Sequence, residues 1–395
     1  MNDKSLSDVL DAHVNSGSVP GVVGLVAHGD GREPEVAAVG SVDTAGGAPM
    51  ARDSIFRIAS VTKPITAAAL LMLIEDGLIG LHDPVAAWLP ELAAPRVVRT
   101  PGSPVDDVVP ATAPITVFDL LTFRAGWGFP SDFSLPAVKA LFEELTQGTP
   151  VPLHRMEPDT WMERLSRIPL LHQPGEVWLY NTCSDIQGVL IARVSGRPLP
   201  EFLAERVFEP LAMKDTGFAV PAAKLDRFTS YYQRDGDSGP GRGLDLVDAP
   251  DGQWSNPPSF PSGAGGLVST ADDLHAFARM LLAEGRAGDR TLLTPASVAQ
   301  MTTDHLTPAQ REASGLFTEG QGWGFGGSVD VMESSPWNVR GRYGWVGGTG
   351  TAAHLTPSTG AVTILLSQVA MTGPTPPELM RDFWRYGAGA TAGTR

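Results

Sequence analysis

Two side chains in this sequence have the types and the spacing for covalent chemistry. They are Ser60 and Lys63, in the run Phe56-Arg57-Ile58-Ala59-Ser60-Val61-Thr62-Lys63-Pro64. A serine hydroxyl becomes an effective nucleophile when a neighbouring base takes its proton, and a residue three positions along a helix stands on the same face. The spacing therefore puts an amine beside a hydroxyl, at a helix start whose unpaired N–H groups favour developing negative charge. Apolar packing from Ala67 to Ile74 predicts that the Lys63 ammonium is desolvated and its pKa lowered, which suits a base or a modulator of one. Taken alone, Ser-x-x-Lys is also what an N-cap serine followed by a surface lysine looks like, so the rest of the chain must decide.

The element that presents this pair is clear. Thr62 to Asp76 is made of good helix formers, with Pro64 in the first turn and Gly77 placed to end it. Ser7 to Ser16 reads as an earlier helix, followed by strands at Gly21–His28 and Glu35–Gly40 joined through Gly29-Asp30-Gly31-Arg32. The Pro- and Asp-rich stretch from Leu78 to about Pro114 reads as exposed connection, and Thr116 to Thr122 opens a helix whose Thr116/Asp119 spacing is a modest capping signal. Trp127 to Pro152 has the composition of a loop with a short helix that could flap over a cleft. Helices are expected at Pro158–Ser166, Asp185–Val194, Leu199–Phe208, Ala271–Glu284 and Pro377–Tyr386. Strands return at 342–350, Thr351–Leu355 and Gly360–Ser367, the last two separated by Pro357-Ser358-Thr359. Strands at both ends with helices between predict an α/β (α+β) lobe built from residues 1–80 and 255–395, with residues 81–254 inserted as a mainly helical lobe. No internal repeat is visible.

Composition narrows the partners. The chain has 395 residues, 42% hydrophobic and 18% charged, as in an ordinary globular protein with a sizeable core. A formal net charge of −15 argues against nucleic acid or an anionic membrane surface as partner and favours a small neutral or weakly charged substrate. Cys183 is the single cysteine, which excludes an intrachain disulfide, and the eight histidines fall in no metal-ligand spacing, so neither metal nor cofactor is expected. The start Met1-Asn2-Asp3-Lys4-Ser5-Leu6-Ser7 lacks the pattern of a secretory signal and no apolar run spans a bilayer. If Met1 is the native start, a cytoplasmic location is expected. Gly-x-Ser-x-Gly is absent, which argues against an α/β-hydrolase elbow.

Two further stretches complete the pattern. Tyr180-Asn181-Thr182 follows Gln173-Pro174-Gly175-Glu176-Val177-Trp178, and Trp345-Val346-Gly347 opens a Gly-rich strand start. With Ser60-Val61-Thr62-Lys63, in this order, they resemble the serine β-lactamase and penicillin-binding protein superfamily, and more narrowly class C β-lactamases and the family VIII carboxylesterases. Similar family phrases occur in Val207-Phe208-Glu209-Pro210-Leu211-Ala212-Met213, in Gly265-Gly266-Leu267-Val268-Ser269-Thr270-Ala271-Asp272-Asp273-Leu274 and in Gly322-Trp323-Gly324-Phe325-Gly326, so the likeness covers roughly residues 5 to 385.

The resemblance implies a β-lactamase-like fold, an antiparallel sheet flanked by helices from both termini, and specific roles. Ser60 would be the nucleophile, Lys63 the cation beside it, and Tyr180 the general base, with Lys63 lowering the phenol's pKa from its usual value of about 10. The backbone N–H groups of Ser60 and Gly348 would form the oxyanion hole, and Asn181 would help hold the site. The departures bear on substrate. Where β-lactamases have Lys-Thr-Gly to grip a carboxylate, this chain has Trp345-Val346-Gly347, which favours a bulky apolar acyl or alcohol group. Thr182 stands where the class C tyrosine motif has Asn, and Phe123-Arg124-Ala125-Gly126 departs from the relatives' His-Thr-Ser-Gly with no functional account. Trp345, Val346, Gly347, Asn181 and Trp127 are the expected substrate contacts, although Tyr180 and Trp345 could also be packing residues. The leading expectation is a cofactor-free serine carboxylesterase acting on small esters. The alternatives are a β-lactamase or D-amino-acid peptidase or amidase of the same mechanism, and a silent ligand-binding relative.

Overall fold

In the computed structural model, residues 4–148, 152–234 and 243–392 are described. The extreme start Met1-Asn2-Asp3 and residues 149–151 of the expected flap lie outside them. Helix α1 (Leu6–Asn15) begins at a Ser5 cap closed reciprocally by Asp8, and leads into strands β1 (Gly21–Ala27) and β2 (Glu35–Gly40). Helix α2 (Thr62–Glu75) follows the short helical turn Ala59–Val61 and ends at Gly77, whose φ of +72° is cheap only for glycine. The later elements that build the site are α3 (Thr182–Ser195), α4 (Ala271–Leu282), β3 (Gly322–Trp323), β4 (Ser328–Val329), β5 (Tyr343–Gly347), β6 (Thr351–Thr356), β7 (Ala361–Ser367) and α5 (Glu378–Ala392).

The strands form one antiparallel sheet in the order β3-β4-β5-β6-β7-β1-β2, so the first two strands of the chain close against the last. Register pairs Val22 with Ser367 and Gly347 with Thr351. Strand β1 is buried on both faces, which is why it reads as a continuous apolar run rather than an alternation. Val22, Val26 and Leu365 face a layer made by Leu6 and Leu10 of α1 and Phe383 and Trp384 of α5. Val23, Leu25, Ile364 and Leu366 belong to the larger core on the opposite face, with α2 and α4. Twelve residues of α2, Thr62 to Leu73, are buried, so this helix is enclosed on every side and runs through the centre against α3.

Several expectations change in detail. Helix α3 begins at Thr182, three residues ahead of the expected Asp185, and that extension puts it directly after the tyrosine motif. The segment Leu199–Phe208 divides into an α-helix at Leu199–Leu203 and a wider π turn at Ala204–Phe208. The stretch read as exposed connection carries a hairpin, Arg96–Val98 with Val108–Pro110, with Val97 and Val98 buried. The Thr116/Asp119 capping box forms despite the shorter acid. Among the described residues, no helix is long and apolar enough to cross a membrane and no side chains cluster as a metal site.

Candidate active site

Ser60 sits in the turn before α2, next to Ala59, whose φ of +42° is unusual for a residue with a Cβ. The Lys63 ammonium nitrogen lies 2.8 Å from the Ser60 hydroxyl and donates to the Ala264 carbonyl at 2.6 Å. Its side chain is fully buried, and that burial pushes the amine down to about 7; the Asp185 carboxylate opposes the shift and the Arg155 guanidinium adds to it. Asp185 is itself buried in the first turn of α3. It accepts from the Ser262 hydroxyl at 2.6 Å and from the Ala264 N–H at 3.2 Å, so it fixes the loop whose carbonyl holds Lys63.

Tyr180 closes the site from the other side. Its phenol faces the Ser60 hydroxyl and accepts the Trp345 indole N–H at 2.7 Å, while Lys63 Nζ stands 4.7 Å from the ring centre. Backbone bonds in both directions pin Tyr180 to Phe129, at 2.9 and 3.1 Å. Asn181 then adopts φ +83°, ψ −66°, a strained three-residue turn in which the Thr182 N–H reaches the Tyr180 carbonyl at 3.3 Å. That turn aims the tyrosine while letting α3 begin at once. Both residues that flank the chemistry, Ala59 and Asn181, thus carry backbone strain of the kind that clusters at functional sites.

The expected lowering of the Tyr180 pKa is not met. Burial pushes the phenol up to about 12, and the hydrogen bonds from Ser60 and Trp345 only oppose that shift. The cause is an aromatic enclosure that the sequence disperses: rings of Phe123, Trp178, Phe317, Trp323 and Trp345 all lie within 6.4 Å of the Tyr180 ring.

Gly348 follows β5 and is exposed, and among the described residues no acceptor of the protein takes its backbone N–H. Ser60 and Gly348 line one cleft of about 180 Å³ together with Asn181, Arg155, Ser262 and Thr349. β5 is held beside the Ser60 turn by two hydroxyl bonds, Thr349 to the Arg57 carbonyl at 2.6 Å and Thr351 to the Ile58 carbonyl at 3.0 Å. Gly347 permits this approach, since a Cβ there would collide with the Ile58 carbonyl and the Thr351 hydroxyl.

The expected substrate contacts divide. Asn181 lines the cleft. Trp345 is 5% exposed and commits its N–H to Tyr180, so its indole is part of the enclosure around the phenol rather than an open wall. Trp127 is a correction: it is 2% exposed, donates to the Ile168 carbonyl at 2.9 Å and packs in the core, because the segment after Phe123 folds inward to pair with Tyr180. Val346 is half-buried against the core, and Gly347 acts by having no side chain. Three residues escaped sequence reasoning. Asp185, the one carboxylate of a largely buried helix, was the detectable signal; Arg155 and Phe317 sit in irregular or very short elements with no periodicity to mark them.

Comparison with known proteins agrees with this geometry. The family model described as Beta-lactamase matches residues 6–383. Protein Rv1367c of Mycobacterium tuberculosis is 36% identical over 377 residues, covering 93% of this chain and 89% of that protein. Esterase EstB of Burkholderia gladioli is 30% identical over 394 residues, with 94% and 92% covered. Among solved structures, EstCE1, described as a hydrolase with promiscuous acyltransferase activity, superposes with a TM-score of 0.77 at 25% identity, over 96% of this chain and 97% of its own. A whole-length family match, an esterase among the relatives and a serine held beside a buried lysine lead to one conclusion: the chain belongs to the beta-lactamase family, as a serine hydrolase with esterase- and acyltransferase-like relatives.

Proposed function

We propose that this protein is a cofactor-free serine carboxylesterase of the family VIII type, which cleaves small esters through an acyl-enzyme on Ser60. The observation that carries the reading is the Ser60 hydroxyl held between the Lys63 amine and the Tyr180 phenol. The two groups divide the proton work. With its pKa near 7, neutral Lys63 takes the Ser60 proton as Oγ attacks the ester carbonyl; Tyr180, a phenol at neutral pH, keeps its proton for the leaving alkoxide. The tetrahedral oxyanion lies against the Ser60 and Gly348 N–H groups. When the alcohol departs it takes the phenol proton, and Tyr180 recovers one from the Lys63 ammonium. Water then gives its proton to the amine, attacks the acyl carbonyl, and Ser60 leaves reprotonated.

The leaving alcohol meets an aromatic ledge. Phe317 stacks on Tyr180 at 4.7 Å, and Phe133, 38% exposed, continues the ledge 6.2 Å beyond it. Apolar alcohols fit that surface, and the names of two relatives, Esterase EstB and Lovastatin esterase, agree with ester substrates. The test is parallel turnover of p-nitrophenyl butyrate and a chromogenic cephalosporin, with intact-mass analysis. An acyl adduct and ester turnover that both vanish in Ser60→Ala are the expected result. Fast cephalosporin turnover beside a poor ester rate would replace the esterase by a β-lactamase.

A further inference from the structure

The cleft that contains Ser60 and Gly348 does not include Tyr180 in its wall. In a reaction where Tyr180 protonates the leaving alcohol, the alcohol lies on the tyrosine side and this cleft receives the acyl chain. Its size fits a short chain: 180 Å³ holds about six waters, or an acyl group of about six heavy atoms. Its chemistry, however, is not that of a hydrocarbon pocket.

Two arginines line it, and they differ. Arg57 is committed: its guanidinium pairs with Asp248, donates to the carbonyls of Thr229 and Ala249, and lies 4.0 Å from the centre of the Phe228 ring. Arg155 is held more loosely. Its side chain is 8% exposed and its guanidinium lies 5.6 Å from the centre of the Phe260 ring; its Nη1 ion-pairs with Asp185 Oδ2 at 3.5 Å without a hydrogen bond, and its Nη2 reaches the Thr146 carbonyl only at 3.4 Å. Asp185 spends its other oxygen on Ser262 and Ala264. A buried guanidinium nitrogen without an acceptor is costly, and a carboxylate is the partner its fork geometry fits best. The chain as a whole carries a net charge of −15, so an acidic substrate needs a local cation of this kind.

We infer that Arg155 binds a carboxylate at the far end of the acyl chain, so that the preferred substrates are half-esters of short dicarboxylic acids. The inference rests on the esterase reading above and adds the acyl class. It also supplies, at Arg155, the anion-binding cation that is missing at Trp345.

The test compares p-nitrophenyl butyrate with mono-p-nitrophenyl succinate, which share a four-carbon acyl chain. In Arg155→Met the ratio of kcat/KM for succinate over butyrate should fall by about 30-fold, mostly through KM, and Arg155→Lys should restore much of it. A general structural loss would lower both substrates together and leave the ratio unchanged, which would overturn the inference. A measurement on the native protein alone guards against a variant that does not fold: mono-p-nitrophenyl succinate should be preferred over its neutral methyl ester. Preference for the methyl ester would again overturn it while leaving the esterase standing. Failure of Ser60 to be acylated by any of these esters would remove the esterase reading itself.

Discussion

In the proposed mechanism the chemistry turns on Lys63, because a buried amine with a pKa near 7 changes protonation state near neutral pH. Activity that needs the neutral amine should rise with pH through about 7 and level above it, and Lys63→Arg, which cannot deprotonate, should lose turnover at every pH. Asp185 supplies a sign test of the same idea. Its carboxylate raises the Lys63 pKa, so Asp185→Asn should move the acid limb of kcat/KM to lower pH; a limb that stays in place would assign it to another group. Trp345→Phe tests the tyrosine. It keeps an aromatic ring beside Tyr180 but removes the 2.7 Å N–H donor, and turnover should fall by roughly 3–10-fold, the worth of one ordinary hydrogen bond, with the fold unchanged by circular dichroism. Equal rates in Trp345→Phe and the native protein would leave Trp345 with packing as its sole role.

At the level of elements, the site depends on how closely β5 approaches the Ser60 turn. Gly347→Ala would force the strand away from Ile58, moving Gly348 off the position where it would meet the oxyanion in the proposed mechanism; kcat should drop by at least about tenfold and stability by roughly 1–3 kcal/mol, measured by urea unfolding. The elements themselves were largely legible. β1, β2, α1 and α2 fall within two residues of where hydrophobic pattern and end signals put them, because each has a long buried face and a distinct stop such as Gly77. β3 and β4 were not, because two-residue strands have no period to read. The adjacency of Ser60 and Lys63 was readable from helix geometry, being local. The height of the Tyr180 pKa was not, since it comes from rings at positions 123, 178, 317, 323 and 345 that meet only after folding.

For the molecule as a whole, the central helix that makes the core also carries the one lysine buried to 0% exposure, and these two roles conflict. Lowering an amine from 10.5 to about 7 means that folding at neutral pH works against protonation, a penalty on the order of several kcal/mol by linkage. The sign follows from the direction of the shift. Above 10.5 both folded and unfolded chains hold a neutral amine and the penalty is absent; as pH falls toward 7 the unfolded chain binds a proton that the folded one refuses, and the penalty grows; below 7 both bind it and the penalty stays at its full value. Lys63→Met fills nearly the same volume without a charge, at the cost of the bonds to Ala264 and Ser60. The variant should therefore be inactive yet melt several degrees higher than the native protein at pH 6.5, with the gap narrowing by pH 9.5. A variant that melts lower than the native protein at both pH values would mean that the Lys63 bonds outweigh its desolvation, and that catalytic placement and stability are not opposed in this helix.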